Sequence, residues 1–212
     1  MLGKLIVAGA VVVGGGGFAD VKAKSYVESK VEKKIEAEVP NATGTVVHIS
    51  SFPFLLRLAG SGQAGTITLH LDKGQEGPFL LGPVDIRFED VTVDTAKARA
   101  GKVVITKLGQ GSATAVITDA TLSELFKVPI RLTPGTVQVT VAGRAVTAKV
   151  VVADGTLKVL APGLPPFSTL LPRGVVIPCA PEAEVMGGSI RLSCHFTELP
   201  QELVKIVGRV AG

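Results

Sequence analysis

From Thr43 onward, apolar residues recur at every second position. Ile67, Leu69 and Leu71 alternate with Thr66, Thr68 and His70. Val84, Ile86 and Phe88 alternate with Asp85, Arg87 and Glu89, and Val146, Ala148, Val150 and Val152 share one parity. A period of two sends successive side chains to opposite sides of a strand. Most of this chain is therefore expected to be antiparallel strand, apolar on one face and polar on the other. Gly143-Arg144, Asp154-Gly155 and Gly187-Gly188 are the expected hairpin turns. The alternation slips at Glu89-Asp90 and resumes at Val91 and Val93, which predicts a β-bulge.

Helical periodicity is confined to three places. Residues 20–38 place Val27, Val31 and Ile35 at i, i+4 and i+8, with Ala23 extending the stripe. Asp20 is the expected N-cap and Pro40 the stop. Such a narrow apolar stripe fits a helix packed on a sheet better than one lying on a membrane. Two short helices are expected at 53–59 and 119–126, the second with Thr121 and Glu124 as a capping box. Each follows a short apolar strand and precedes an alternating one, a hint of two related halves. Residues 161–178 contain Pro162, Pro165, Pro166, Pro172 and Pro178 and must run as an extended loop or edge. Pro165, Pro166 and Phe167, with Leu170 and Leu171, form an apolar flap within it. No interdomain linker interrupts residues 20–212, which are expected to form one α+β domain, mostly antiparallel β. The expected form is an elongated curved sheet or barrel packed around the N-terminal helix.

The first 19 residues stand apart. Lys4 precedes an apolar run from Leu5 to Val13, which is short for a membrane span and suited to a signal core. Gly17 and Ala19 place small residues at −3 and −1 of a cut before Asp20. Residues 1–19 are thus read as a signal peptide, with an uncleaved membrane anchor as the second reading; either exports the body. Gly14 to Ala19 also fits G-x-G-x-x-A, but its position behind a signal core and the antiparallel chain that follows argue against a dinucleotide site. Export permits oxidation. Cys179 and Cys194 flank the Gly187-Gly188 hairpin and are expected to form a disulfide, two buried thiols being the alternative.

The chemistry legible in the chain is mostly apolar. Hydrophobic residues make up 46%, mean hydropathy is +0.44, and there is no Trp and one Tyr. That is more apolar material than a chain burying surface only against itself is expected to carry. Composition disfavours nucleic-acid binding by aromatic stacking. No nucleophile elbow, zinc-protease helix or phosphate loop occurs. His48, His70 and His195 lie far apart and read as surface or half-buried residues of strands. No catalytic residue, metal site or cofactor is expected. A one-sided sheet needs a cover, and three helices supply little. A second sheet or a hydrophobic ligand would complete it, and the sequence alone leaves both open. Charge is uneven. Eight Lys and Arg lie between Lys97 and Lys149, opposed there only by Asp119 and Glu124. That is either a basic face toward anionic lipid heads or a solvated rim.

Several segments carry a family resemblance. They are Ile49-Ser-Ser-Phe-Pro-Phe-Leu-Leu-Arg-Leu58, residues 81–93 (Leu-Gly-Pro-Val-Asp-Ile-Arg-Phe-Glu-Asp-Val-Thr-Val), residues 115–125, the Ala161-to-Phe167 stretch, residues 178–185 and Ile190-Arg-Leu-Ser-Cys194. In this order and spacing the chain resembles the LmeA-like phospholipid-binding proteins of actinobacterial cell envelopes, over about residues 20–204. Ser51 stands where the motif has Gly. The resemblance implies an exported, membrane-associated protein, similar in fold to tubular lipid-binding domains. It also implies an anionic, phosphatidylinositol-type phospholipid as ligand and a role in lipoglycan (mannan) assembly. The residues expected to line an acyl-chain groove are Phe52, Phe54, Leu55, Leu56, Phe79, Leu80, Leu81, Leu164, Phe167, Leu170 and Leu171, exposed apolar clusters beside Pro and Gly. Lys and Arg at its rim would meet the phosphate. The alternative function is an envelope scaffold that binds no lipid and recruits partner proteins through its basic face.

Overall fold

A computed structural model describes residues 16–51, 53–96, 105–171 and 176–198, without the side chains of 16–19, Leu55 and Leu56. The apolar run Leu5–Val13, Phe52, and Lys97, Arg99 and Lys102 lie outside the described residues. In chain order the elements are α1 (Gly16–Glu38), β1 (Val46–Ser50), α2 (Phe54–Ser61), β2 (Gln63–Leu71), β3 (Gly74–Glu76), β4 (Phe79–Leu81), β5 (Val84–Val93), β6 (Ile105–Lys107) and β7 (Gln110–Thr118). They continue with α3 (Asp119–Phe126), β8 (Ile130–Thr133), β9 (Thr136–Val141), β10 (Arg144–Ala153), β11 (Thr156–Leu160), β12 (Phe167–Leu170), β13 (Glu182–Val185) and β14 (Ser189–Phe196).

The expected architecture is present: mostly antiparallel β with an N-terminal helix. It is two open sheets rather than a closed barrel. The first sheet runs β1-β2-β5-β7-β14-β13, with β6 beside β5. The second runs β12-β11-β10-β9-β8, and β3 and β4 form a separate hairpin. Ile86, Ala115, Ile117 and Leu192 of the first sheet join Val137, Val139, Leu157 and Val159 of the second, with Leu122 of α3, in one buried cluster. Each fully buried aliphatic side chain there contributes roughly 1.5–3 kcal/mol. The second sheet is thus the cover that the one-sided first sheet required. The two are tied by main chain as well: Gly135 N–H donates to Val185 O at 3.0 Å and Gly188 N–H to Leu132 O at 2.9 Å.

The local signals are largely realised. Ile67 pairs Phe88 and Gly65 pairs Val91, so Glu89 and Asp90 together face Thr66, and Asp90 takes φ 52°: this is the predicted bulge. Asp154 and Gly155, both at positive φ, join Ala153 to Thr156 in a two-residue hairpin. Met186 and Ser189 bracket the Gly187-Gly188 turn. Three details differ. The β9–β10 turn is Ala142-Gly143, at φ 49° and 76°, and Arg144 already pairs Val141. The cap of α3 is Thr118, whose hydroxyl accepts the Thr121 N–H at 3.2 Å, because β7 runs straight into the helix. Asp20 does not cap α1, which starts at Gly16 and already includes it.

α1 lies along β1, the outer strand of the first sheet. Glu32 Oε1 accepts the Val47 N–H at 2.9 Å and Glu28 Oε1 the Ile49 N–H at 2.8 Å. Two carboxylates at i, i+4 thereby terminate the outward amides of a sheet edge. Ile35 and Val39 of the same region are buried in the shared core.

Candidate functional site

The second cysteine sits on the inner face of β14, beside the inner face of β7. Position for position, β7 is small there: Ala113 pairs Cys194 and Ala115 pairs Leu192. Over these four residues runs the segment 176–181. Val176 and Ile177 are buried, and with Pro181 they close an apolar seam that leaves no room for a water. This segment is a strap fastened at both ends. Cys179 is bonded to Cys194, with Cα atoms 6.0 Å apart. At the other end Glu76 Oε2 accepts the Val176 N–H at 2.8 Å, across 100 positions of sequence. Burial pushes the Glu76 carboxyl above its ordinary value, and the amides of Val176 and Ile177 pull it back.

The structure divides the residues expected to line a groove. Phe79 and Leu81 of β4 and Leu171 are buried in the shared core, with Leu164 and Phe167 packed against it. Phe167 meets Phe126 of α3 with ring centroids 6.0 Å apart. Leu80, between the two buried residues of β4, is 45% exposed, and Leu170 on β12 is 73% exposed. Phe54 is buried outside that cluster, as are Ile49, Ala64, Val91 and Val93. Leu55 and Leu56 lie on α2 with Phe54. The expected set is therefore two apolar regions, one around β4 and the flap and one at α2. Within the Pro-rich stretch Phe167–Leu170 forms an edge strand, β12, and residues 172–175 lie outside the described residues.

The outward face of the first sheet is polar. It carries His48, His70 and His195 on three different strands. His70 Nδ1 lies 2.7 Å from Asp85 Oδ1 and its Nε2 lies 3.3 Å from Asp72 Oδ1. The Asp85 hydrogen bond, opposed by desolvation and aided by Asp72, raises the imidazole above its ordinary value. Arg87 Nε donates to Glu89 at 2.7 Å. Glu89 also accepts from Gln110, and these two bonds, Gln110 first, lower its carboxyl. A shallow depression of about 370 Å³ opens here, lined by Thr68, His70, Asp85, Arg87, Ser112 and Thr114. Its ionisable groups are engaged with one another. Among the described residues no three or more His, Cys, Asp or Glu side chains are placed to hold a metal ion.

The roles of four residues escaped the sequence reading. Glu76 lies in the polar stretch Asp72-Lys73-Gly74-Gln75-Glu76, where nothing local marks it as a residue with a distant backbone partner. Ala113 and Ala115 leave the seam, and only their register against β14 shows what they face. Asp20, buried within α1, accepts a hydrogen bond from the Phe54 N–H.

Fold and site together define an antiparallel two-sheet protein whose inner face carries an apolar seam under a tethered strap. Residues 18–192 match the family model described as LmeA-like phospholipid-binding, and the chain belongs to that family. Membership supports a lipid-binding role. No curated protein and no solved structure matches the chain. Among the described residues no helix is long and apolar enough to cross a membrane.

Proposed function

We propose that this is an exported, non-enzymatic phospholipid-binding protein of the cell envelope that works at a membrane surface. Its ligand is an anionic phospholipid of the phosphatidylinositol type, and its activity supports lipoglycan assembly. The family match supports a phospholipid as ligand, and the anionic headgroup is part of the proposal. The observation that carries the site is the seam: alanines on β7, Leu192 and the disulfide-bonded Cys194 on β14, and a strap fastened at two points. An acyl chain would part the strap from β7 and β14 and continue along Phe79, Leu81, Leu164, Phe167 and Leu171, with Leu80 and Leu170 at the mouth. Phe54 of α2, with its sequence neighbours Phe52, Leu55 and Leu56, is proposed as a second set of lipid contacts. Each buried methylene is worth about 0.8 kcal/mol, so a long chain compensates for displacing the strap. Residues 1–19 act as the export signal, cleaved before Asp20.

The experiment is mass spectrometry of protein purified without detergent, intact and after solvent extraction. Stoichiometric phospholipid is the expected result, and Ala115→Leu, which fills the seam, should lower the amount recovered. Protein that carries no lipid, even after incubation with phosphatidylinositol vesicles, sinks the reading and favours a scaffold with a closed core.

A further inference from the structure

We propose that the outward face of the second sheet is the surface by which the protein docks on an anionic bilayer leaflet. Docking there presupposes the phospholipid-binding reading above, which brings the protein to a bilayer at all. Residues 127–171 hold five cations (Lys127, Arg131, Arg144, Lys149 and Lys158) and a single carboxylate, Asp154. That segment alone carries a net +4, equal to the net charge of the whole chain, so the remaining residues sum to zero. Four of the five lie on strands of the second sheet, and three of these, Arg131, Lys149 and Lys158, share its outward parity; Lys127 is the C-cap of α3 and Arg144 has the parity of the buried Ala148.

Register places the cations beside exposed apolar side chains. Lys149 pairs Leu160 and Val151 pairs Lys158, while Leu170 pairs Thr156 one row further. Arg131 lies on the same face, paired with Gln138, which pairs Thr147. These positions have the opposite parity to the buried Val137, Val139, Leu157 and Val159. Leu170 is 73% exposed, and Val151 and Leu160 40% each. Among the described residues none of the five cations forms an ion pair, whereas on the first sheet Arg87 and His70 are met by Glu89, Asp85 and Asp72. Asp154 sits at the hairpin tip, off the rows that hold Lys149 and Lys158.

Unopposed cations interleaved with aliphatic side chains match an anionic headgroup layer over an acyl boundary. The face is a poor match for a protein strand. Of its two edge strands, β12 and β8, each is four residues long, and β12 follows Pro165 and Pro166, which offer no amide donors.

The test uses the full chain and co-pelleting with phosphatidylcholine vesicles, with and without phosphatidylglycerol. Each neutralised cation on a docked face should weaken binding roughly fivefold. Arg131→Gln, Lys149→Gln and Lys158→Gln combined should therefore cost on the order of a hundredfold at low salt. The control, Lys30→Gln, Lys33→Gln and Lys73→Gln, removes equal charge elsewhere and should cost severalfold at most. Leu170→Ser, exposed and so harmless to the fold, should reduce the binding that survives high salt. Equal losses in the two triple variants, or wild-type protein with no preference for anionic vesicles, overturn the proposal. Extracted lipid reads the other question: a sheet variant that keeps its lipid but loses the vesicles supports docking. Wild-type protein that docks yet yields no lipid sinks the lipid-carrying reading and leaves the docking face standing.

Discussion

Asp20 Oδ2 accepts the Phe54 N–H at 2.9 Å, so a residue of α1 caps the first turn of α2 across 34 positions. The residue in the N-cap place, Pro53, makes no side-chain cap of its own. The first amides of a helix have no partner within it, and this one is satisfied by a carboxylate that is itself 4% exposed. Asp20→Ala removes a charge-assisted bond at a buried site. The expected loss is about 2 kcal/mol, read as a lower urea midpoint with an unchanged slope. Asp20→Asn keeps an acceptor and should lose less. A neutral Asp20→Ala would show that α2 is held by its apolar contacts alone.

Glu28 and Glu32 bond the outward amides of Ile49 and Val47. Replacing both by Ala leaves an edge strand with free donors, a template for pairing with another chain. The expected result is a loss of about 1 kcal/mol per bond together with concentration-dependent self-association in light scattering. Substituting both by Gln keeps an acceptor at each position and should leave the protein monodisperse. If the Ala pair stays as monodisperse as wild type, the helix backbone rather than its carboxylates guards the edge.

What was legible follows from which signals are local. The strands around Ile67 and Ile86, the Glu89-Asp90 bulge and the Asp154-Gly155 turn depend on neighbours in sequence, and alternation and turn chemistry reveal them. The cap of α3 was misplaced by three residues because Thr118 and Thr121 are equally good caps; the end of β7 decides between them. Glu28 and Glu32 read as ordinary polar residues of a helix and Asp20 as its N-cap, since nothing local marks a carboxylate that will serve an amide 15 to 34 residues away. The seam was invisible for the same reason. Ala113 and Ala115 face Cys194 and Leu192 only through the β7–β14 register, and the strap reaches them only through Glu76 and the disulfide.

His70 bridges Asp85 and Asp72, and its folded value lies above the ordinary 6.5. The folded protein thus holds this proton more tightly than the unfolded chain. The stability it adds is fully present below pH 6.5 and is lost as pH rises through the folded value. Its side chain is 41% exposed, so the contribution stays below about 1 kcal/mol. Asp85→Asn removes the largest cause and should flatten the stability profile just above pH 6.5. An NMR titration in which the His70 midpoint is unmoved by Asp85→Asn would remove this linkage.

Glu76 shifts in the same direction for another reason. Desolvation raises its carboxyl above the ordinary 4.5, and the Val176 and Ile177 amides only partly compensate. The folded state again binds the proton more tightly than the unfolded one. Stability from this group is greatest below pH 4.5 and falls as pH rises through the folded value, leaving a buried charge as a standing cost above it. Glu76→Gln abolishes that cost and still accepts from Val176, so it should hold or raise the melting temperature at neutral pH and erase the slope above pH 4.5. Glu76→Ala leaves the amides of Val176 and Ile177 unpartnered beside side chains that are 1% and 2% exposed, for a loss of about 1–3 kcal/mol. The two variants also separate fastening from charge. If the strap gates the seam, Glu76→Ala should speed lipid exchange with donor vesicles while Glu76→Gln exchanges at the wild-type rate. Equal rates for all three proteins would mean that Cys179 and Cys194 alone hold the strap where lipid passes.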